Sequence, residues 1–373
     1  MVSSQARMTL KMRTPSLLMT SLSSSSTSSI LHQNLTINSS ELPGPWLSTT
    51  TGPVVRNLGL GISCFTMIFG TISNLTALGI LARSRARFRR QSKASFLFLT
   101  VALLLADLVG HVIPGAFALY LHMNHRNEMQ IVKPATAFCQ IFGASMVFFG
   151  LSPLLLGCAM AIERCVAITQ PFFHTAMVTV SHVQGVVLFM SSLALILAVL
   201  PFCGIGTYTT QYPGTWCFLQ IHDPRSTADT SLALAFSCLG LTALILSLLC
   251  NIVSGLTLLR ARIKSQNINT NSAARYTHRS SSASSTSLFF SLDVEMMAQL
   301  AVITVVSCVC WSPFLMRILL TQLNKSPGEP DKVILVGLRL ASWNQILDPW
   351  VYILLRRTAL YRVFFAFNTQ TFT

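Results

Sequence analysis

The chain has 373 residues, of which 52% are hydrophobic and 10% are charged, and its formal net charge is +15. Soluble domains carry about 25% charged residues, so this chain has too few charges to cover a soluble surface. The apolar composition also excludes a disordered chain, and it argues against nucleic-acid binding as the reason for the basic excess. We therefore expect an integral membrane protein.

Long apolar segments recur along the chain, and a membrane-spanning helix needs about 20 such residues. Strands of a membrane barrel would be about ten residues long with alternating polarity, a pattern that these segments do not show. The sequence therefore predicts an all-α membrane protein, a seven-transmembrane helix bundle with a short amphipathic helix after the last span. The predicted spans are residues 57–82, 94–121, 134–164, 183–203, 230–259, 295–320 and 333–355.

Lys and Arg concentrate in the loops after spans one and five and in the tail, and short basic loops stay in the cytoplasm. This pattern predicts a multi-pass plasma-membrane protein with an extracellular N-terminus and a cytoplasmic C-terminus. Residues 1–56 are expected to be flexible and glycosylated, because Asn34 and Asn38 begin sequons. Residues 263–291 are expected to form a disordered third inner loop, and residues 356–373 a short cytoplasmic tail.

Two of the ten cysteines are predicted to lie on the extracellular side, which is oxidising. Cys139 opens span three on the outer side, and Cys217 lies in the second outer loop. A disulfide between them is plausible in that compartment. Cysteine spacing alone also allows two free thiols.

Three ionisable residues, Asp107, Arg339 and Asp348, lie within predicted spans, where a charge is costly and functional by default. Arg339 and Asp348 point about half a turn apart on one helix, so they cannot neutralise each other. Arg339 either extends outward toward the lipid headgroups or faces the bundle to pair with a ligand carboxylate. Asp107 and Asp348 could share a pocket with Asn74 and Asn344, either as structural hydrogen bonds or as a water-and-ion pocket that changes between two states.

A set of motifs runs through these spans. It consists of Asn74, Leu103 with Asp107, Glu163-Arg164-Cys165, Cys310-Trp311-Ser312-Pro313 and Asp348-Pro349-Trp350-Val351-Tyr352. With these residues the chain resembles rhodopsin-like G-protein-coupled receptors over about residues 57–365. Residues 211–218 (QYPGTWCF) and 338–350 (LRLASWNQILDPW) resemble the prostanoid receptors more narrowly. Residues 110–115 (GHVIPG) and the QYPG run at 211–214 look most like the calcium-mobilising prostaglandin E2 receptor subtype.

The resemblance implies a receptor for prostaglandin E2 that is not an enzyme and needs no cofactor or metal. Arg339 matches the arginine that pairs with the prostanoid carboxylate. A family tyrosine that helps to bind this group is replaced here by His122, and Tyr120 lies two residues earlier. Further ligand contacts are expected at Trp311 and Ser342.

The resemblance also places a lid over the ligand. Thr215 matches a loop threonine near the carboxylate, and Trp216 is expected to form part of the lid. A disulfide between Cys139 and Cys217 is implied as well, and it would hold the loop over the bundle.

The resemblance further implies a two-state switch that activates a Gq-type G protein and raises intracellular calcium. Pro313 is expected to kink span six, and Glu163 would hold Arg164 until the G protein binds. Pro153 stands where many rhodopsin-like receptors carry an ion-binding serine. The switch residues are predicted to be Asn74, Asp107, Glu163, Arg164, Trp311, Pro313, Asn344, Asp348, Pro349 and Tyr352.

Alternative functions remain. Receptors for thromboxane and prostaglandin F are close relatives within the same resemblance. A membrane transporter is a weaker alternative, because the chain shows no inverted repeat. A retinal protein is excluded, since residues 333–355 contain no lysine for a Schiff base. Membrane lipids are expected as further partners, because the inner side is strongly basic.

Overall fold

A computed structural model describes the backbone of residues 53–85, 91–127, 136–222, 224–272, 283–324 and 332–370. Residues 1–52, which include the sequons at Asn34 and Asn38, lie outside the described residues. Their predicted flexibility and glycosylation therefore stay predictions.

Within these ranges, seven long helices match the seven predicted spans in chain order, and a short helix, α4, follows the third. The helices are α1 (Pro53–Arg85), α2 (Gln91–Asn127), α3 (Thr136–Thr169), α4 (Pro171–Met177), α5 (Val180–Val199), α6 (Thr227–Ser272), α7 (Ala283–Asn324) and α8 (Lys332–Gln370). A helix satisfies all its backbone hydrogen bonds internally, which is what an apolar segment needs in lipid.

Six of the described helices contain a stretch that is long and apolar enough to cross a membrane: α1, α2, α3, α5, α6 and α7. The eighth helix interrupts its apolar run with Arg339 and Asp348. It nevertheless packs against α1, α2 and α7 and completes the seven-helix bundle.

Helix α3 lies at the centre of this bundle. In the apolar stretch of α3, 67% is buried inside the bundle. The corresponding share for α5 is 22%, so α5 lies at the periphery. Helix α3 contacts α2, α5, α6 and α7, and a β-hairpin covers one of its ends. We call the end of the bundle that carries the hairpin the outer end and the opposite end, near α4, the inner end.

The helices extend beyond the predicted spans at the inner end. Helix α6 continues to Ser272 and α7 begins at Ala283, so both reach into the segment predicted to be a disordered loop. Residues 273–282 lie outside the described residues. Helix α8 continues without a break to Gln370, so the helix expected after the last span is a continuation of α8. Extending a helix that has already formed costs far less than starting one.

The hairpin at the outer end consists of β1 (Tyr208–Gln211) and β2 (Trp216–Leu219), which pair antiparallel with Tyr208 opposite Leu219. The Cys139–Cys217 disulfide is formed, with Cα atoms 5.4 Å apart, and it joins β2 to the start of α3. Tyr208 donates a hydrogen bond from its hydroxyl to the Ala198 carbonyl of α5 at 2.8 Å. Burial raises the pKa of Tyr208, so its hydroxyl stays protonated as a donor at physiological pH.

A capping box forms at the start of α6, and its Asp229 also binds the residue that precedes β1. The Ser226 hydroxyl accepts from the Asp229 backbone N–H at 3.2 Å, and the Asp229 carboxylate accepts from the Ser226 N–H at 3.1 Å. This reciprocal pair satisfies two backbone donors that a helix start otherwise leaves free. The other Asp229 oxygen accepts from the Thr207 hydroxyl, next to β1, at 2.9 Å. The hairpin is therefore fixed to α3, α5 and α6.

Candidate ligand cavity and inner-end switch

A cavity of about 780 Å³ lies under the hairpin, between α1, α2, α3, α6, α7 and α8. Its volume falls within the range of about 300–1,000 Å³ that small-molecule sites occupy. Most of the lining is apolar or aromatic, and it includes Met67, Phe142, Met146, Phe149, Phe218 and Phe236. Such a surface suits a ligand with a long hydrocarbon body.

The charged residues that line this cavity are all basic. Arg339 and Lys332 project from one face of α8, two helical turns apart, and the described lining contains no Asp or Glu. Arg339 is exposed to the cavity and makes no hydrogen bond or ion pair with any described residue. An anionic group in the cavity would therefore meet a cation that the described protein leaves unpaired.

The predicted lid residues lie over the cavity. Trp216 is 4% exposed, and its indole N–H donates to the Tyr212 carbonyl at 2.9 Å. Thr215 is half-buried and lines the cavity beside it. Gly214, in the turn between the strands, has a φ of +93°, a conformation that favours glycine.

The structure separates the two candidates near the outer end of α2. His122 lines the cavity, and its Nδ1 donates to the Ala118 carbonyl at 2.9 Å. Tyr120 is 54% exposed and packs its ring on Phe138, 5.1 Å away, outside the cavity lining. Residues two apart on a helix point about 200° away from each other, so only one of the pair can face the ligand.

Aromatic side chains form the inner part of the cavity. Trp311 is 4% exposed, and its ring lies 6.2 Å from that of Phe314 on the same helix. Phe314 in turn contacts Phe218 of the lid at 5.6 Å. Ser342 also lines the cavity, and it donates its hydroxyl proton to the Leu338 carbonyl at 3.0 Å. Trp311 therefore lines the cavity from α7, two residues before Pro313 on the same helix.

His111 is a cavity residue that the sequence analysis missed. It is 6% exposed, and its Nε2 has no hydrogen-bond partner among the described residues. Space for the ring depends on Gly70 of α1, since a Cβ there would come within 2.6 Å of the imidazole. A histidine inside a predicted span, one turn after Asp107, was the signal that could have drawn attention to it.

The predicted polar residues at mid-bundle are only partly brought together. Asn344 donates to the Asp348 carboxylate at 3.2 Å, whereas Asn74 donates to the Gln345 carbonyl at 3.1 Å. Asp107 is fully buried, and neither carboxylate oxygen has a hydrogen-bond partner among the described residues. A small neighbouring cavity is lined by Asn344, Asp348 and Pro153. The proline supplies no hydroxyl there, and the other polar residues that line this cavity are Ser247, Thr304 and Ser307.

The inner end of α3 holds a buried charge cluster. Arg164 donates to Glu163 through two nitrogens, at 2.6 and 2.7 Å, and its guanidinium lies 4.9 Å from the Phe96 ring centre. His174 of α4 lies with its Nε2 3.0 Å from the same carboxylate, a contact that the sequence analysis did not foresee. Met296 of α7 accepts from Arg164 at 4.0 Å. Arg164 is thus bound to α2, α3 and α7 at once.

Tyr352 of α8 contacts α3 about one helical turn before Arg164. It is 6% exposed, and its hydroxyl donates to the Met160 sulfur of α3 at 3.8 Å. Pro313 and Pro349 lie inside continuous helices α7 and α8, where each removes one backbone hydrogen bond. These prolines are weak points at which a long helix can bend.

Residues 73–352 match the family model for the 7 transmembrane receptor (rhodopsin family). The chain is 43% identical over 326 residues to the prostaglandin E2 receptor EP1 subtype of Rattus norvegicus, covering 79% of each chain. It is 41% identical over 327 residues to the prostaglandin F2-alpha receptor of Homo sapiens, covering 87% of this chain and 86% of that one. Among solved structures, squid rhodopsin superposes with a TM-score of 0.65 at 15% identity over 80% of this chain and 76% of its own.

Proposed function

Because this chain belongs to the rhodopsin family of seven-transmembrane receptors, and within it to the prostanoid receptors, we propose that it binds prostaglandin E2 and activates a Gq-type G protein. The rise in intracellular calcium follows from that coupling. The N-terminus is extracellular and the C-terminus cytoplasmic in this proposal, so the hairpin faces the outside and α4 faces the cytosol.

Arg339 is the observation that carries the ligand assignment. It is a cation in a mostly apolar cavity, and neither the cavity lining nor its own surroundings supply a described acidic partner. A prostanoid is amphipathic, with one carboxylate, a few hydroxyls and a long apolar chain. The guanidinium can bind the carboxylate through two parallel hydrogen bonds, which a point charge cannot do.

The remaining polar lining residues are arranged to hold the ligand in one direction. Thr215 and His122 lie at the outer part of the cavity. The Thr215 hydroxyl donates to the carboxylate beside Arg339, and His122 can do so from Nε2 only when both ring nitrogens carry protons, because Nδ1 already donates to Ala118. Ser342 lies three residues after Arg339, about 4.5 Å further along α8, where its oxygen can still accept a hydrogen bond. His111 has a buried Nε2 without a described partner, and it binds a ligand hydroxyl. The apolar chain then lies against Trp311 and the aromatic residues near it.

Activation follows from contacts at both ends of α7. Agonist contacts with Trp311 favour a bend at Pro313, which moves the inner end of α7 away from α3. That movement breaks the contact between Arg164 and Met296 and frees Arg164 for the G protein. Tyr352 moves toward the opened cleft, and the polar residues Asn74, Asp107, Asn344 and Asp348 rearrange together with Pro349 of α8.

The inner end also offers an apolar contact for the G protein. Phe172 and Phe173 on α4 are 89% and 52% exposed, next to the buried charge cluster. Two adjacent exposed apolar side chains on the side that we place in the cytosol suit contact with a protein partner. Arg164 and the two phenylalanines would thus lie on one docking surface.

Prostaglandin F2-alpha is the second candidate ligand. The prostaglandin E2 and F2-alpha receptors match this chain at nearly the same identity, 43% and 41%, so overall similarity does not choose between them. The GHVIPG run at residues 110–115 is the feature that favours prostaglandin E2.

A prostanoid panel tests the proposal. Cells that express the chain are exposed to prostaglandin E2, prostaglandin F2-alpha and a thromboxane analogue, and intracellular calcium and cyclic AMP are recorded in parallel. We expect a calcium response with prostaglandin E2 as the most potent ligand, and cells with the empty vector serve as the control. A greater potency of another prostanoid would overturn the ligand assignment, and a cyclic-AMP response without calcium would overturn the Gq assignment.

A further inference from the structure

The buried charge cluster at the inner end of α3 contains His174, which is not among the predicted switch residues. Glu163, Arg164 and His174 are 9%, 3% and 3% exposed, and the imidazole approaches the Glu163 oxygen that also accepts from Arg164. An ionised carboxylate can only accept hydrogen bonds, so His174 must donate from Nε2. The contact is therefore a buried, charge-assisted hydrogen bond.

Helix geometry explains why this third residue matters. Neighbouring residues on a helix point about 100° apart and do not face each other. The two-fold contact between Glu163 and Arg164, at 2.6 and 2.7 Å, therefore requires both side chains to bend toward each other. His174 approaches Glu163 from another element and can hold it in that bent arrangement.

We propose that His174 is a positioning residue that stabilises the resting state: it holds Glu163 in place, and Glu163 holds Arg164. Loss of the imidazole contact leaves one oxygen of Glu163 with a single charged donor, which weakens the hold on Arg164. The resting state is stabilised selectively, because the cluster exists only while Arg164 is turned toward Glu163, Phe96 and Met296.

The position of His174 on α4 couples this hold to the docking of a partner. Phe172 is 89% exposed while His174, two residues later, is 3% exposed, so one side of the short helix faces solvent and the other covers the cluster. A partner that binds Phe172 and shifts α4 would withdraw His174 from Glu163. Docking on the loop and release of Arg164 are then a single event. The inference rests on the proposed function only in that Arg164 contacts a G protein.

The test uses two pairs of variants of the full-length receptor. His174→Phe keeps a ring of similar size without a donor, and His174→Gln places an amide N–H near the position of Nε2. His174→Asn carries the same amide on a side chain one methylene shorter, which does not reach the carboxylate. His182→Phe is the matched control, because His182 is exposed at the start of α5 and contacts Thr179.

Basal G-protein dissociation is measured by energy transfer without ligand, for all four classes of Gα subunit, and is divided by the number of receptors at the cell surface. We expect His174→Phe and His174→Asn to raise basal activity about fivefold, a typical size for a coupling between two states. His174→Gln and His182→Phe are expected to match the unmodified receptor. Misfolding would lower the signal per receptor, so it cannot produce this increase.

A double variant tests whether the rise in basal activity of the His174 variants acts through Glu163. Glu163→Gln alone should raise basal activity, and adding His174→Phe to it should change nothing further, because the two residues act through one contact. Unchanged basal activity in both His174→Phe and His174→Asn would overturn the inference, and so would equal effects of Gln and Asn or additive effects in the double variant. Since no ligand is used and every Gα class is measured, a wrong assignment of prostaglandin E2 or Gq shows separately in the prostanoid panel.

Discussion

At the scale of single residues, the ligand assignment depends on one cation. The apolar surroundings of Arg339 make an ionic contact there stronger than it would be in water, because water no longer screens the charge. The same surroundings make an unpaired charge costly. The ligand carboxylate supplies an anion for Arg339, and Arg339 supplies a cation for the carboxylate.

We expect Arg339→Ala to weaken binding of prostaglandin E2 by at least about 30-fold, because removing one partner of a buried charge pair costs about 2–5 kcal/mol. Arg339→Lys should recover part of the loss, since it restores the charge without the two-fold geometry. Radioligand competition with the free acid and its methyl ester measures both effects. Arg225→Ala, before α6 and outside the cavity lining, is the matched control and should change affinity little. Unchanged affinity of the acid for Arg339→Ala would refute the carboxylate contact.

The residue scale also shows how small differences in position decide a role. Tyr120 and His122 are two residues apart, and only His122 lines the cavity. The tyrosine is the chemically closer match to the family residue, yet its ring lies against Phe138 instead. Residue type therefore suggested both candidates, and the rotation of α2 distinguishes them.

At the scale of elements, the lid depends on how closely the hairpin approaches α3. Gly143 of α3 lies directly under Tyr208 of β1, and a Cβ at this position would come within 2.3 Å of the Tyr208 ring. The glycine thus allows the Tyr208 ring to approach α3 closely while its hydroxyl reaches Ala198 of α5. Close contact between these elements, together with the disulfide, keeps the lid over the cavity.

We expect Gly143→Ala to displace Tyr208 and to destabilise the lid, since overpacking of this kind costs about 1–3 kcal/mol. The melting temperature of the solubilised receptor should fall, and bound ligand should dissociate faster. Gly157→Ala on the same helix is the matched control, because a Cβ there meets no atom within 4 Å. The control should be neutral or slightly stabilising, since alanine favours a helix by about 1 kcal/mol over glycine. Equal behaviour of the two variants would contradict the proposed packing.

At the scale of the whole molecule, the proposed topology accounts for the net charge of +15. Basic residues crowd the loops and the tail that we place in the cytoplasm, and such loops resist transfer across the membrane. This placement puts the hairpin and cavity outside, where an extracellular ligand arrives, and it puts Arg164 and Phe172 inside with the G protein.

The orientation can be tested directly on cells. An epitope tag before Met1 should be stained on intact cells, and a tag after Thr373 only after the membrane is permeabilised. Replacement of Asn34 and Asn38 by Gln should lower the apparent mass of the receptor toward that of the enzymatically deglycosylated form. Staining of the C-terminal tag on intact cells would reverse the assignment of the two sides.

Local composition was sufficient to predict the helices, because a run of about 20 apolar residues has few stable alternatives in lipid. The spans, the intramembrane charges and the motifs around Arg164 and Arg339 could therefore all be read along the chain. The Cys139–Cys217 disulfide was also predicted, with the help of the family resemblance, and the structure forms it.

Only the tertiary structure decided which side chains meet. A membrane helix is apolar toward lipid and toward its neighbours alike, so its sequence does not reveal which face turns inward, and packing between helices sets that rotation. The rotation of α2 brings His122 and His111 to the cavity and leaves Tyr120 outside. The folding of α4 against α3 brings His174 to Glu163, eleven residues earlier in the chain. The sequence by itself thus determined the family, the spans and the important charges, whereas helix rotation and loop packing determined the partners of those charges.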